Sequence, residues 1–184
     1  MSGPLPPVEP PIVERPDVPE YGIPQTLEGA LPWSWAEERL AGAVTYWVAT
    51  TRPDGRPHAM PIWAAWCAAR LWFEGGRLTR RARNLAENPS VSIGIELPGD
   101  GAVVVEGTVE RFAGAPDGLA DRLVAAFAKY AAPPRGYVAD PANWSSPDGG
   151  IWAATPVIVF GWSSFPADAT RWRFDASGDP PPGR

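Results

Sequence analysis

Short segments rich in apolar, β-branched and aromatic residues recur along most of the chain, and they predict β-strands. The predicted strands cover residues 44–51, 57–66, 70–74, 91–96, 103–110, 151–162 and 170–174. The dipeptide Asp54-Gly55 between the first two predicts a tight hairpin. Closely spaced strands favour an antiparallel barrel or sandwich over a parallel sheet. Gly107, inside the fifth strand, predicts a bulge or a kink.

Helical patterns occupy the longer intervals between these strands. Ser34 and Glu37 have the spacing of a capping box, which predicts a helix over residues 35–40. Residues 117–130 form an amphipathic pattern with one apolar face, which consists of Leu119, Leu123, Ala126, Phe127 and Tyr130. The Pro/Gly-rich segment 131–150 predicts a loop, and loops of this length often border functional sites.

A third predicted helix carries positive charge where a helix disfavours it. Thr79 is a suitable N-cap and Pro89 ends the pattern, so Arg80, Arg81 and Arg83 lie in the first turn or just beyond it. The helix dipole opposes exposed cations there by about 0.3–1 kcal/mol each. A bound phosphate would reverse that sign, because free N–H groups and guanidinium groups would both face it. A solvated basic surface explains the cluster equally well.

Four motifs follow one another in a distinctive order. The strand Pro-His-Ala-Met-Pro-Ile-Trp precedes Leu-Trp-Phe, the helix Thr-Arg-Arg-Ala-Arg-Asn-Leu-Ala-Glu-Asn-Pro and the strand Val-Val-Val-Glu-Gly-Thr-Val-Glu. Over about residues 31–174 the chain resembles the pyridoxamine 5′-phosphate oxidase-like split β-barrels, and more narrowly the flavin/deazaflavin-dependent oxidoreductases of actinobacteria. The resemblance implies a mainly β (α+β) protein, an antiparallel split β-barrel of the FMN-binding type with short peripheral helices.

The resemblance also implies roles for particular residues. The hydroxyl of Thr79 and the cations of Arg80 and Arg81 would bind the cofactor phosphate, and Arg83-Asn84 matches a pair common in the deazaflavin branch. The backbone of the second strand would run along the cofactor ring, and the end of the third would lie near the ribityl chain. The implied cofactor-binding set is His58, Ala59, Met60, Pro61, Ile62, Trp63, Phe73, Glu74, Gly75, Thr79, Arg80, Arg81, Arg83 and Asn84.

By this resemblance the protein is an oxidoreductase that binds F420 or FMN non-covalently. It would transfer a hydride to or from a small conjugated or heteroaromatic substrate, and no side chain is assigned as acid or base because the cofactor carries the chemistry. Trp144 in the long loop and Trp162 are candidate walls of the substrate pocket. The family usually completes its cofactor site with a second subunit, so we expect a homodimer with sites at the subunit interface.

Two other functions fit the same pattern. The pocket could bind a flavin, F420 or haem without turnover, with His58 as the one histidine available to haem iron. A pyridoxamine 5′-phosphate oxidase in the strict sense needs further basic residues near its C-terminus, where Arg171 and Arg173 are the nearby candidates. The single cysteine, Cys67, excludes an intramolecular disulfide and a cysteine-based zinc site, and we predict no metal site.

The composition of the chain indicates which classes of partner it disfavours and where in the cell we expect the protein. The net charge is −5 and the isoelectric point is about 4.9, a balance that disfavours nucleic-acid binding. No segment has the length of a membrane-spanning helix or the pattern of a secretory signal, so we expect a cytoplasmic protein that binds no membrane. Frequent arginine, a single lysine and abundant Ala, Gly and Pro suggest a GC-rich genome, which fits an actinobacterial source, where F420 is made.

We predict one folded domain, over residues 25–174. A chain of 184 residues with 45% hydrophobic content can bury one sizeable core. The Pro-rich segment 1–24 lacks apolar periodicity and is expected to be an extended or disordered arm. Residues 175–184 are expected to form a loose tail.

Overall fold

The computed structural model describes residues 5–146 and 148–174. The strands in this part of the chain are β1 (Ile12–Glu14), β2 (Tyr46–Thr51), β3 (Pro57–Ile62), β4 (Ala65–Cys67), β5 (Arg70–Glu74), β6 (Ser90–Leu97), β7 (Gly101–Phe112), β8 (Ile151–Trp162) and β9 (Thr170–Arg173). The helices are α1 (Trp33–Gly42), α2 (Arg80–Glu87), α3 (Ala120–Phe127) and α4 (Pro141–Trp144). Short 3-10 turns occur at Pro19–Tyr21 and Ala128–Tyr130. No helix among the described residues has both the length and the hydrophobicity needed to cross a membrane.

The strands form one antiparallel sheet in the order β1-β9-β8-β7-β6-β2-β3, and β5 joins it between β8 and β4. β8 has two successive partners along one side. Its residues 151–154 pair with β5, and its residues 158–161 pair with β9. The barrel divides at this fork, so the predicted antiparallel split barrel is confirmed.

The predicted strand 57–66 is wrong in one respect, because it is two strands. β3 pairs with β2, whereas β4 pairs with β5. The chain turns a corner at Trp63 and Ala64, where the Tyr130 hydroxyl accepts from the Ala64 N–H at 3.0 Å and donates to the Ala64 carbonyl at 2.8 Å. This corner places the end of β3 beside the β4–β5 hairpin.

Gly107 interrupts the register between β7 and β8, as predicted. A Cβ at this position would lie 2.1 Å from the carbonyl oxygen of Thr155 on the neighbouring strand. Any side chain there would push the two strands apart. The bulge bends β7, since an extra residue on one strand increases its local twist.

Two hydrophobic clusters lie on opposite faces of β5. Phe73 faces the barrel interior, whereas Trp72 packs beneath α3 with Leu123 and Phe127. Successive residues of a strand point to opposite sides, so a strand that is apolar on both faces is buried between two layers. Leu123, Phe127 and Tyr130 are all buried, which confirms the apolar face predicted for this helix.

The described part of the Pro-rich arm includes the strand β1 and a 3-10 turn at Pro19–Tyr21, and contacts tie it to the barrel. β1 pairs with β9, so the sheet begins before the predicted boundary at residue 25. The guanidinium of Arg70 donates to the carbonyl of Pro6 at 2.8 Å, and Arg15 donates to the carbonyl of Ala169 at 2.8 Å. The predicted tail, residues 175–184, lies outside the described residues.

The first helix forms, but without the predicted capping box. α1 begins at Trp33 with Pro32 at the N-cap, and no side chain caps it. Ser34 therefore lies inside the helix. Packing holds α1 instead, since Ala36 and Leu40 are fully buried.

Candidate functional site

β3 is an edge of the sheet, with β2 on one side and no strand on the other among the described residues. Pro57 and Pro61 lack an N–H, so the free edge cannot pair along its whole length. The side chains of the predicted ring-binding segment are accessible: Ala59, Met60, Pro61 and Trp63 are exposed, and His58 and Ile62 are half-buried. This edge can hold one side of a flat ligand through carbonyl groups and apolar contacts.

Side chains of α2 form hydrogen bonds both with the end of β5 and with the β2–β3 hairpin. Near its start, the Arg81 guanidinium donates to the main-chain carbonyl of Glu74 at 3.0 Å. On its next turn, the Asn84 amide donates to the Thr50 hydroxyl at 3.0 Å, and that hydroxyl donates to the carbonyl of His58 at 3.4 Å. The helix therefore fixes β3 and β5 relative to each other.

The first turn of α2 offers free donors. Thr79 is the N-cap, as predicted, and its hydroxyl accepts from the Ala82 N–H at 3.2 Å. The N–H groups of Arg80 and Arg81 have no acceptor in the part of the chain that the structure describes. Such groups and the helix dipole together favour an anion.

Three exposed guanidinium groups surround this helix start. Arg77, Arg80 and Arg83 are exposed, and none forms an ion pair within residues 5–146 and 148–174. The nearest acidic residue along the helix is Glu87, at its end. Positive charge with free N–H groups and no internal counter-charge is a donor set suited to a phosphate.

Arg81 differs from these three because it is part of the fold. Its guanidinium lies over the Phe73 ring at 5.0 Å, and burial lowers its pKa. A Cβ on Gly75 would come within 2.6 Å of Nη2 of Arg81. Glycine at position 75 is therefore what allows the guanidinium to lie against the end of β5.

Two residues of the predicted set have fully buried side chains. Phe73 stacks against Trp152, with the rings 3° from parallel and their centroids 6.5 Å apart. The Asn84 amide donates to Thr50, but its buried carbonyl oxygen has no hydrogen-bond partner among the described residues. These side chains support the site from beneath.

A small pocket lies where β3 and β5 end. It has a volume of about 220 Å³ and is lined by Ile62, Trp63, Glu74, Phe127 and Tyr137. The Glu74 carboxylate accepts hydrogen bonds at Oε1 from the Tyr137 hydroxyl and, at 2.6 Å, from the Trp144 indole. Sequence reasoning missed Phe127 and Tyr137, because their contribution depends on α3 and residues 137–144 folding against β5.

The two tryptophans proposed as pocket walls lie elsewhere. Trp144 is almost completely buried at the end of α4, not at an exposed loop tip, and reaches the pocket only through its bond to Glu74. Trp162 lies at the far end of β8 from Ile151, the residue that pairs with Glu74, and its indole donates to the carbonyl of Asp100 at 3.0 Å. Within one chain, Trp162 is therefore remote from the pocket.

Residues 35–162 match the family model described as pyridoxamine 5′-phosphate oxidase. The chain belongs to this family. A comparison with curated protein sequences found no significant match.

Solved structures show the same split-barrel fold. The chain is 25% identical to an F420 reductase, over 67% of this chain and 94% of that one, with a TM-score of 0.51. It is 20% identical to a pyridoxamine 5′-phosphate oxidase-related, FMN-binding protein from Nostoc punctiforme, over 77% and 89% of the two chains, with a TM-score of 0.53. It is 23% identical to a haem-binding protein from Mycobacterium smegmatis, over 76% of this chain and 58% of that one, with a TM-score of 0.54.

The residues present fit the phosphate end of a flavin-type cofactor. The exposed guanidinium groups and the free N–H groups of α2 supply donors, and the accessible edge of β3 supplies a surface for a ring. Arg81 ties the start of α2 to the main chain of Glu74 at the end of β5. The structure thus brings together Ile62, Trp63, Glu74, Gly75 and Arg81, whereas Phe73 and Asn84 lie in the layer below.

Proposed function

We propose that this protein is an oxidoreductase that uses non-covalently bound F420 or FMN for hydride transfer to or from a small conjugated or heteroaromatic substrate. When bound, either cofactor supplies the hydride chemistry. The observation that carries the proposal is the start of α2, where exposed guanidinium groups and free N–H groups have no partner among the residues that the structure describes. We favour F420 over FMN, as in the deazaflavin branch of actinobacteria, because of the Arg83-Asn84 pair and the composition.

The chain's own residues would bind, orient and exclude water. Thr79, Arg80 and the main chain of α2 would hold the phosphate, and Arg83 would add to the field around it. Arg81 would keep the end of β5 in place through its bond to Glu74. The free edge of β3, from His58 to Trp63, would orient the ring, and no side chain is assigned to proton transfer.

A second copy of the chain would complete the site. The outer face of the sheet carries Trp47, 49% exposed, and a groove of about 480 Å³ lined by residues such as Ala49, Ser92 and Ile158. Exposed apolar surface of this kind is typical of an interface. We propose a symmetric homodimer, to be tested by sedimentation velocity of the full chain, with Trp47→Asp expected to shift the protein towards the monomer.

Titration with each cofactor tests the proposed function. Any chromophore that copurifies is released by denaturation and identified by its mass, and the stripped protein is titrated with F420 and with FMN while fluorescence is followed. We expect saturable binding, tighter for F420. Tighter binding of FMN would reverse the cofactor assignment, and no saturable binding of either would overturn the function. Turnover of a panel of quinones and enones with reduced cofactor is then measured, because an enzyme is expected to reduce some of them and a carrier none.

A haem or flavin carrier is the second candidate. The similarity to a haem-binding protein and the half-buried position of His58 on the edge strand favour testing it. Haemin is added to the stripped protein and its absorbance followed, with His58→Ala as the comparison. Saturable haem binding that His58→Ala removes, without turnover of the panel, would support the carrier. A strict pyridoxamine 5′-phosphate oxidase would instead oxidise pyridoxamine 5′-phosphate with FMN.

A further inference from the structure

The pocket at the end of β3 and β5 combines aromatic walls with one carboxylate. The Trp63 ring is 5.6 Å from the Tyr137 ring and stacks on Tyr130 at 5.2 Å, and Phe127 closes the inner side. Trp63 is 42% exposed, so this wall faces both the pocket and solvent. The volume of about 220 Å³ is several times the share of one water in the liquid, about 30 Å³, which suits one substituted aromatic ring.

The carboxylate of Glu74 has no counter-charge inside the described chain. Its Oε1 accepts from Tyr137 and Trp144, both neutral donors, and its Oε2 accepts no hydrogen bond from any described residue. Arg81 lies close by but donates to the main-chain carbonyl of Glu74, not to the carboxylate, and no ion pair to Glu74 forms among the described residues.

The two neutral donors hold the carboxylate in place. Burial, and secondarily the bond to Glu74, raise the pKa of the Tyr137 phenol, so it keeps its proton and donates it. Trp144 is almost completely buried and anchored by α4. Glu74 is therefore fixed with one oxygen satisfied and the other available to a ligand.

We propose that this pocket binds a flat, positively charged nitrogen group, such as an amidinium or a protonated amino-heteroaromatic ring. A cation would face the carboxylate, and its planar body would lie against Trp63 and Tyr137, whose ring faces attract cations. An anionic group is disfavoured by Glu74, and a purely aliphatic group would leave the carboxylate unpaired. As the substrate end of the reaction, this assignment rests on the function proposed above; as a binding site, it stands without a cofactor.

Benzamidinium and benzamide test the assignment, because they share size and shape and differ in charge. Binding of each to the full chain at pH 7, with no cofactor added, is measured by ligand-observed nuclear magnetic resonance and by calorimetry. We expect benzamidinium to bind at least about tenfold tighter, as one charge-assisted hydrogen bond implies. Equal affinities, or no binding of benzamidinium at millimolar concentration, would overturn the proposal.

Variants then locate the selectivity. Glu74→Gln keeps the shape and is expected to bring the two affinities to within about threefold of each other, since the charge-assisted bond becomes a neutral one. Glu96→Gln, an exposed site on β6 with the same change of charge, should leave the ratio unchanged. Trp63→Leu should weaken both ligands, and because Trp63 is exposed this variant is expected to fold. Retained selectivity in Glu74→Gln would place the cation elsewhere.

The outcome is separable from that of the cofactor titration. Selective binding of benzamidinium without binding of F420 or FMN would overturn the proposed oxidoreductase function and support the cation-binding pocket. Binding of F420 or FMN without selectivity for benzamidinium over benzamide would overturn only the assignment of the pocket.

Discussion

Two groups of arginines differ in whether the chain itself supplies their partners. Arg70 is buried and donates to the Thr155 hydroxyl at 3.1 Å and to the carbonyl of Pro6 at 2.8 Å. Arg77 and Arg80, at the start of α2, are exposed and have no ion pair among the described residues. The first kind holds the arm against the barrel. The side chains of the second kind form no ion pair or hydrogen bond with the described residues, and they sit where the helix dipole opposes them.

This difference teaches which cations to assign to a ligand. A guanidinium with internal acceptors is already used, and removing it leaves those acceptors unsatisfied. A guanidinium without them can be removed at little cost to the fold, so its presence at a position that the helix dipole opposes points to an external partner. The comparison therefore predicts opposite results for stability and for ligand binding.

The largest effect is expected from the unpartnered group. Replacing Arg77 and Arg80 together by alanine should weaken cofactor binding by at least about 1.5–3 kcal/mol, since that is what the charge-assisted hydrogen bond lost at Arg80 is worth, and the exposed charge of Arg77 near the helix start is lost as well. The free energy of unfolding should stay within about 0.5 kcal/mol. Fluorescence titration and urea unfolding measure the two quantities. Arg122→Ala/Arg135→Ala, with the same change of charge at exposed sites outside α2, is the control; equal affinity in both double variants would make the cluster an ordinary basic surface.

The partnered group should show the reverse. Arg70→Met is expected to lower the free energy of unfolding by about 1.5–3 kcal/mol, because the carbonyls of Ala68 and Pro6 lose a charged donor. Cofactor affinity should be unchanged. Urea unfolding beside Arg122→Met, an exposed control, measures the difference. Wild-type stability in Arg70→Met would mean that the arm is not held by this contact.

Arg81 should combine both behaviours on a smaller scale. Arg81→Ala is expected to lower the free energy of unfolding by about 1 kcal/mol, since one hydrogen bond to Glu74 and the contact with Phe73 are lost. It should also weaken cofactor binding. Arg81→Lys keeps the charge but not the flat contact, so binding should recover more than stability does. Recovery of both to the same extent would show that the shape of the guanidinium is irrelevant.

Replacing the single lysine should cause the smallest change in the free energy of unfolding. This change should be visible only in how that free energy depends on pH. Lys129 donates to the carbonyl of Ala41 and to the Tyr46 hydroxyl, and burial lowers its pKa to about 8. Between pH 8 and about 9.5 the unfolded chain keeps a proton that the folded chain has released, so stability should rise with pH. The free energy of unfolding is measured against Lys129→Met, in which that rise should vanish. A parallel pH profile in the two proteins would contradict the lowered pKa.

Much of the barrel could be predicted because its signals are local. The alternation in β2, the turn at Asp54-Gly55 and the apolar face of α3 are each read from a few neighbouring residues. The bulge at Gly107 was visible for the same reason. β1 was missed, because Ile12–Glu14 is a three-residue strand among prolines whose partner, β9, lies at the other end of the chain.

The site was predicted less completely, because burial and distant contacts do not appear in a linear pattern. The charges of α2 were evident, but nothing distinguished half-buried Arg81 from exposed Arg80. The hydrogen bonds from Tyr137 and Trp144 to Glu74 depend on β5 pairing with β8, which brings residues 137–144 over the end of β5. Such a contact is set by tertiary structure and has no local signal.

The pairing of β1 with β9 has a consequence for how the barrel is made. Glu14 and Arg173, whose side chains form a hydrogen bond across this pair of strands, are 159 residues apart in the chain, so this edge cannot close until all the chain between them has been synthesised. Bringing such distant segments together carries a large loop-closure entropy, and contacts of this separation slow folding. β1 must therefore wait for β9 to be synthesised before it can pair. Until it pairs, β9 has an open edge to which the strand of a neighbouring chain could add.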